Sequence, residues 1–403
     1  MTQKLTKQHI ALLFSLYITQ FVGFAFITES LIAILRQNGT SLENLGFIYM
    51  LGLFFVFRFL WAPFVDKIKF KRLGHYRGWI IIFQTFMVFV LIAVSFFDIL
   101  TNFKIIIALS VLFAFFAASQ DIALDALVFK TVHKDQRSVG GALKTAGGLV
   151  GGILGGGVAL IIYSYVGWEQ TIQILAFTTS ISLIQLYFYK EPSSQNEEIE
   201  DKINFKQYID FWKPSGRKKW LLLLFLYPIT ISSAYGLLNP MLVDAGWTLD
   251  KIGFAVHIVG YGIGLIASFS TSWVINKFGK KIVLVISALG QSIGMLLLLF
   301  IINGYSDNLS VMLIVGFIFM FYMPSAVVMI TIIMDQVSSK SPASQFAIQH
   351  SVYMFSGVLF AGFAISLSGV FGYSSVIIVC SIIGLFAVYL STTIDDSIIQ
   401  GES

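Results

Sequence analysis

The segment GTSLENLGF, residues 39–47, returns later in the chain as GWTLDKIGF, residues 246–254. Each copy stands in a short polar loop that leads into a long apolar run. A second pair of matching phrases follows at a similar offset, because Asp-Lys at 66–67 is answered by Asn-Lys at 276–277. Two matches in register are typical of an internal repeat. The sequence therefore predicts a chain built from two homologous halves.

Composition places both halves in a lipid bilayer. Of 403 residues, 57% are hydrophobic and 12% are charged, with a mean hydropathy of +0.84. Soluble domains do not carry this mixture, and about twelve apolar runs are each long enough to cross roughly 30 Å of hydrocarbon as a helix. We predict an all-α polytopic membrane protein whose twelve transmembrane helices form two six-helix pseudo-repeats. The predicted parts are an N-terminal bundle (1–190), a cytoplasmic linker (191–218) and a C-terminal bundle (219–403).

Lysine and arginine residues collect in alternate loops between the apolar runs. The positive-inside rule places those loops, and with them both termini, in the cytoplasm. The formal net charge of +5 does not indicate a nucleic-acid partner, because the basic residues flank membrane spans instead of forming one basic face. The lipid bilayer is the expected partner, and we expect a monomer. The single cysteine, Cys380, excludes a disulfide within the chain.

Parallel six-helix repeats joined by a cytoplasmic linker resemble the major facilitator superfamily, in which substrate binds near the midplane between the halves. The loop after the second span also resembles that superfamily's signature, G-x-x-x-D-R-x-G-R-R, although Ala62 replaces its first glycine. The two polar loops are predicted to form a latch that bonds helix ends in one conformation. Alternatively, they only orient the chain. The latch residues are Asp66, Lys67, Arg72, Asn276, Lys277, Lys280 and Lys281.

Five charged residues lie inside predicted spans, where each costs roughly 2.5 to 3.5 kcal/mol and therefore needs a partner or a function. Asp121 and Asp125 are four residues apart and share one face of the fourth span. Depth in the membrane permits two ion pairs, Asp125 with Lys144 and Asp121 with Arg58. These are either structural pairs, or a group in which one carboxylate takes up a proton together with the substrate. Glu29 has no basic residue in its own span and is a further proton-coupling candidate, but it is near the outer boundary and can simply face water.

Glycines recur between 147 and 157 of the fifth span in two interleaved rows, which lets another helix approach closely. The predicted counterpart is the eighth span, with Gly260, Gly262 and Gly264. Packing is the expected role of both.

Aromatic and amide side chains in the first, fourth, seventh, tenth and eleventh spans are candidates for a substrate cavity. With few charges among them, they favour a bulky, partly aromatic or hydroxylated substrate over a small ion. An interhelical hydrogen bond is the alternative for each. His257 and His350 lack a second ligand at metal-binding spacing, so no metal site is predicted. The candidates are Tyr17, Gln20, Gln120, Tyr227, Tyr235, Asn239, Tyr322, Gln349, His350 and Tyr353.

Four phrases of the N-terminal half resemble one branch of the major facilitator superfamily, which holds AmpG-like muropeptide permeases and single-protein siderophore permeases of the rhizobactin and pyochelin type. The phrases are Glu-Ser at 29–30, Leu-Arg-Gln at 35–37, FLWAP at 59–63 and SQDIA at 119–123. Two features, the end of the first span and Met-Asp at 334–335, favour the siderophore permeases over the muropeptide permeases.

This resemblance implies a non-enzymatic, proton-coupled importer of the bacterial inner membrane that works by alternating access. Its implied cargo is a ferric siderophore, so iron would be part of the substrate and no cofactor is expected. Import of cell-wall muropeptides is the alternative. A membrane-embedded transferase, with Asp121 and Asp125 as its acid and base, is a remote third hypothesis, because a two-fold repeat serves alternating access and has no evident use in such chemistry.

Overall fold

The structure is a computed structural model that describes residues 6–70, 73–99, 101–131, 137–191, 212–213, 216–336 and 342–400. Within these ranges, 11 helices are long and apolar enough to cross a membrane. The longest, Leu143–Phe188, is broken at Gly167, where φ is 79° and ψ is −171°. Glycine tolerates this backbone because it has no Cβ. The break divides the helix into two membrane-length parts, which agrees with the twelve predicted helices.

We number the helices α1 to α12 in chain order, with α5 and α6 meeting at Gly167. Most of the predicted linker, 191–218, and one latch residue, Arg72, lie outside the described residues. The helices are α1 (Lys7–Gln37), α2 (Leu42–Leu60), α3 (Tyr76–Ser95), α4 (Phe103–Val128), α5 (143–166), α6 (168–188), α7 (Arg217–Asp244), α8 (Leu249–Phe278), α9 (Lys280–Ile302), α10 (Asn308–Asp335), α11 (Ile348–Phe371) and α12 (Tyr373–Thr393).

The chain forms two compact units. The start of α2 groups with the second unit, and the start of α8 groups with the first. Unit 1 consists of Met1–Gly39, Leu51–Glu198 and Thr248–His257, and unit 2 of Thr40–Met50, Ile199–Trp247 and Ile258–Ser403.

The repeated phrase forms the same helical corner in both places. Gly39 and Gly246 end α1 and α7 with φ near +86° and +82°, the left-handed conformation that glycine adopts at little cost. Ser41 and Thr248 then hold the extended backbone of a helix N-cap, and an acidic residue follows in the first turn of each new helix. This negative charge is favourable at a helix N-terminus. The repeated phrase in the sequence therefore corresponds to the same helical corner, formed once in each half.

A second correspondence joins the third and sixth helices of each half. In α3, the Arg77 guanidinium donates to the carbonyl oxygens of Leu186 and Tyr187 at 2.8 and 3.0 Å, at the end of α6. In α9, the Lys281 ammonium donates to the carbonyl oxygen of Ile394 at 3.1 Å, at the end of α12. Each basic residue is the second of its helix. Both satisfy carbonyl groups that a helix C-terminus leaves without a partner.

We expect Arg77→Ala to lower the free energy of unfolding by about 1 to 3 kcal/mol, because helix-end carbonyls lose charged hydrogen-bond donors. Arg77→Lys should have an intermediate effect, since lysine cannot reproduce the forked guanidinium. Thermal unfolding of the purified protein in detergent measures both. The exposed Lys104 at the start of α4 gives the control Lys104→Ala. An Arg77→Ala protein as stable as this control would show that the contacts do not hold α3 to α6.

The glycine rows of α5 pack mainly against α1. A Cβ on Gly151 would lie 2.6 Å from the Cβ of Phe21. The glycines predicted as the counterpart on α8 were wrong, because Gly260 and Gly264 pack against Phe319 and Met323 of α10, whereas α8 approaches α5 at Gly253. Spacing identifies a helix face that can be approached closely, but it does not say which helix approaches it.

Candidate functional site

Four charged side chains from three helices form one network inside unit 1. The Lys144 ammonium of α5 lies 2.8 and 2.6 Å from the two carboxylate oxygens of Asp125 and 3.0 Å from Asp121. Arg58 of α2 forms an ion pair with Asp121 and places its Nη2 atom 3.3 Å from Asp125. Both pairs that the sequence suggested are therefore present, and each base also contacts the other acid. We call these four residues the charge network.

Tyr17 of α1 completes the surroundings of the network. Its hydroxyl donates to an oxygen of Asp125 at 3.2 Å, and Lys144 lies 5.9 Å from the centre of its ring. Asp125 thus accepts hydrogen bonds from a phenol and an ammonium and also faces a guanidinium. An aspartate with this many donors is held in one orientation.

The members of the charge network differ in exposure. The Asp121 side chain is 3% exposed, whereas those of Arg58, Asp125 and Lys144 are 30 to 35% exposed. Hydrocarbon does not solvate an ionised side chain at this depth. The exposed part of the network therefore faces water or a polar ligand, and Asp121 anchors it from the protein side.

Two acids and two bases give this network a formal charge of zero when all are ionised. Protonation of Asp125 would release Lys144 and Arg58 from part of their electrostatic attraction. An anionic group of a ligand could then bind the freed cations, because guanidinium and ammonium groups recognise carboxylates strongly. The arrangement can therefore exchange a proton for a ligand contact.

Buried amides lie on the same helix bundle. Gln120 of α4 donates to Gln84 of α3 at 3.1 Å, and Gln84 donates to the carbonyl oxygen of Thr179 at 2.6 Å. The sequence analysis did not single out Gln84, although a lone glutamine in an apolar span is itself a signal. Gln20 of α1 is fully buried, and its amide atoms have no hydrogen-bond partner among the described residues. Such a group in a native protein often serves a ligand or ordered water.

Glu29 is not at a wet boundary. It is only 7% exposed, and its Oε2 atom lies 3.0 Å from Nδ1 of His257, which is fully buried. Both residues belong to unit 1, since the start of α8 groups with it. The sequence did not pair His257 with Glu29, because the two residues are far apart in the chain.

The substrate-cavity candidates of unit 2 fall into two sets. Some make hydrogen bonds between helices, and others contact neighbouring aromatic rings. Tyr227 donates to the carbonyl oxygen of Leu284 at 3.0 Å, and Gln349 accepts from the Trp220 indole at 2.7 Å. The hydroxyls of Tyr235 and Tyr261 are 2.7 Å apart. The remaining candidates are Tyr322, which stacks on Tyr235 at 5.8 Å, His350, which stacks on Phe346 at 5.4 Å, and the buried Asn239 and Tyr353.

The second predicted latch loop contacts helix ends. Lys280 lies 2.6 Å from Asp335 at the end of α10, and Lys281 lies 2.8 Å from Asp396. Lys277 lies 4.9 Å from the centre of the Trp273 ring, and Asn276 is exposed. In the first loop Lys67 is exposed, and the side chain of Asp66 lies outside the described part of the chain.

Repeated helical halves with a charge network inside the spans define a multi-pass membrane protein of the secondary-transporter class. Sequence comparison gives the family. The chain belongs to the Major Facilitator Superfamily, whose family model matches residues 10–329.

Named relatives within the family are distant. The chain is 26% identical over 265 residues to the anhydromuropeptide permease of Escherichia coli K12, a match that covers 64% of the chain and 52%, about half, of the permease. It is 23% identical over 367 residues, 83% of each protein, to a Rickettsia prowazekii protein that bears the name transporter AmpG 3.

Solved structures show the same fold. A point mutant of the nucleoside transporter NupG superposes with a TM-score of 0.73 at 11% identity over 95% of this chain and 99% of its own. The D-xylose-proton symporter gives 0.69 at 13% identity over 96% and 97%. At these identities the likeness concerns the fold alone.

Proposed function

We propose that the protein is a secondary active transporter that imports cell-wall muropeptides across the bacterial inner membrane by alternating access, with protons as the coupling ion. Both termini would lie in the cytoplasm, as the distribution of basic residues predicts. The observation that carries the proposal is the charge network of Arg58, Asp121, Asp125 and Lys144 within the spans. Ionisable side chains within membrane spans are costly, and they typically mark substrate, ion or proton pathways.

The choice of cargo rests on relatives and on chemistry. The similarity to an anhydromuropeptide permease favours the muropeptide alternative over the ferric siderophore that the sequence resemblance put first. A muropeptide joins sugar hydroxyls to a peptide with free carboxylates. Arg58 and Lys144 suit the carboxylates, and the buried Gln20 amide can both donate to and accept from hydroxyl and amide groups.

Proton coupling would use Asp125, which is the more exposed acid of the network. When Asp125 is protonated, Lys144 becomes available to the cargo, so a proton and a cargo carboxylate would bind together. The transferase hypothesis loses support, because the carboxylates of Asp121 and Asp125 are paired with cations and are not free to act as an acid and a base.

Uptake in a bacterial strain that lacks its own muropeptide and siderophore permeases tests the proposal. Cells expressing the protein are expected to accumulate labelled anhydromuropeptide, and an uncoupler that collapses the proton gradient should stop accumulation. Iron-labelled chelates form the second arm. Accumulation of a ferric chelate without any muropeptide uptake would contradict the proposal that muropeptides are the substrate. Accumulation that resists the uncoupler would contradict proton coupling.

A further inference from the structure

Three helices wind into π-helical segments at one place. The segments are Phe26–Ser30 of α1, Ile153–Val158 of α5 and Gly253–Gly260 of α8. A π-helical turn is rare and occurs frequently at functional sites. The segments of α1 and α5 and the α8 residues up to His257 belong to unit 1. We call their meeting point the π junction.

Polar contacts and close backbone approach hold the π junction together. The Ser30 hydroxyl lies 2.6 and 2.9 Å from the carbonyl oxygens of Gly155 and Gly156. A Cβ added to Gly156 would lie 2.7 Å from Nδ1 of His257, and one added to Gly253 would lie 2.6 Å from the carbonyl oxygen of Gly157. The glycines of α5 therefore create the space in which α1 and α8 bring a carboxyl group and an imidazole together.

Glu29 and His257 are the titratable groups of the three segments. With a neutral imidazole and an ionised carboxylate, the couple carries one negative charge in a buried site, which is costly. One added proton makes the couple neutral, either as carboxylate with imidazolium or as carboxylic acid with imidazole. The separation of Oε2 and Nδ1, 3.0 Å, is short enough for the two groups to share this proton.

Other titratable groups on the packed elements are farther along their helices. Of these groups Tyr165, Glu169 and Lys251 are exposed to solvent, whereas Glu29 and His257 are buried. None of them lies within the three π-helical segments. These groups are Lys7, His9, Tyr17 and Arg36 on α1, Lys144, Tyr163 and Tyr165 on α5, Glu169 at the start of α6, and Asp250, Lys251, Tyr261 and Lys277 on α8.

We propose that Glu29 and His257 share one proton and form a second proton-binding site, separate from the charge network, that keeps the start of α8, up to His257, docked on α1 and α5 within unit 1. Loss of the shared proton leaves a buried negative charge, so the junction opens and admits water. Uptake of a proton neutralises the couple and closes the junction again. This inference rests on the proposed transport function only for the use that the protein makes of the site. Proton binding at the site can be measured without any cargo.

Infrared difference spectra of the purified protein between alkaline and acidic buffer test the site directly. Wild type is expected to show a carboxyl signal that disappears in Glu29→Gln and shifts its titration in His257→Gln. The exposed Glu169, which accepts a hydrogen bond from Gln173 at 3.1 Å, gives the control Glu169→Gln, which should keep this signal. Size-exclusion chromatography confirms that each variant is folded.

Coupling between the two residues is the decisive result. For a shared proton, each substitution should shift the titration of the remaining partner, His257→Gln that of the carboxyl band and Glu29→Gln that of the imidazole bands, because interacting groups titrate as a pair. A carboxyl titration that His257→Gln leaves unchanged, or spectra of Glu29→Gln identical to wild type, would overturn the proposal. If the protein shows the shared-proton signal but transports no muropeptide, the proposed substrate is wrong and the proposed proton site is not affected.

Discussion

Asp125→Asn is expected to abolish accumulation of the cargo, so that its concentrations inside and outside become equal. Asparagine has nearly the same shape and still accepts a hydrogen bond from Tyr17, which donates to Asp125 at 3.2 Å. It cannot bind and release a proton, and it leaves the charge network with one uncompensated positive charge. The proton gradient would then have no way to drive the cargo. Time courses of labelled uptake in intact cells measure the effect.

Exchange transport separates lost coupling from lost folding. The Asp125→Asn protein should still exchange internal for external cargo, because exchange needs the binding site but no net proton movement. Glu169→Gln, which removes an exposed acid from α6, serves as the matched control and should accumulate cargo normally. An Asp125→Asn protein with unchanged accumulation and an unchanged pH profile would remove Asp125 from the coupling mechanism.

Gly155→Ala is expected to lower the free energy of unfolding by about 1 to 3 kcal/mol, the usual cost of inserting a methyl group into a packed site. An added Cβ would meet the carbonyl oxygen of Val22 and lie 3.0 Å from the amide nitrogen of Phe26. Both are backbone atoms of α1, which cannot move aside as a side chain does. Since α1 carries Glu29, the same substitution should also disturb the π junction. Thermal unfolding in detergent measures the first effect.

Gly262→Ala provides a matched control within a membrane-spanning helix. No heavy atom lies within 4 Å of a Cβ built at Gly262, within the part of the chain that the structure describes. Alanine there should be neutral or stabilise the protein by about 0.5 to 1 kcal/mol, because it has the higher helix propensity. Equal stability of the two variants would contradict the close approach of α5 to α1.

Local rules predicted the parts of the fold that depend on local chemistry. Apolar run length gave the number of helices, and the repeated phrase at 39–47 and 246–254 marked the loops that form the two matching corners. Depth along a span was also sufficient to suggest that Asp121 meets Arg58 and that Asp125 meets Lys144. These inferences succeed because a membrane helix has a fixed rise per residue and a defined direction.

Pairings between distant helices could not be predicted in the same way. Nothing near Glu29 in the sequence points to His257, and the glycine rows of α5 do not reveal that α1 is their main partner. The role of Arg77 was also hidden, because a basic residue at a loop orients the chain whether or not it bonds the end of α6. Such contacts depend on which helix faces are turned toward each other, and a single sequence does not contain that information.

Proton movement during transport tests the central claim most directly. The purified protein would be reconstituted into liposomes that enclose a pH-sensitive dye, with no initial pH gradient, and anhydromuropeptide would be added outside. The account predicts that cargo entry acidifies the interior in wild type and that Asp125→Asn abolishes this acidification. Cargo entry without acidification, or equal acidification in both proteins, would contradict it.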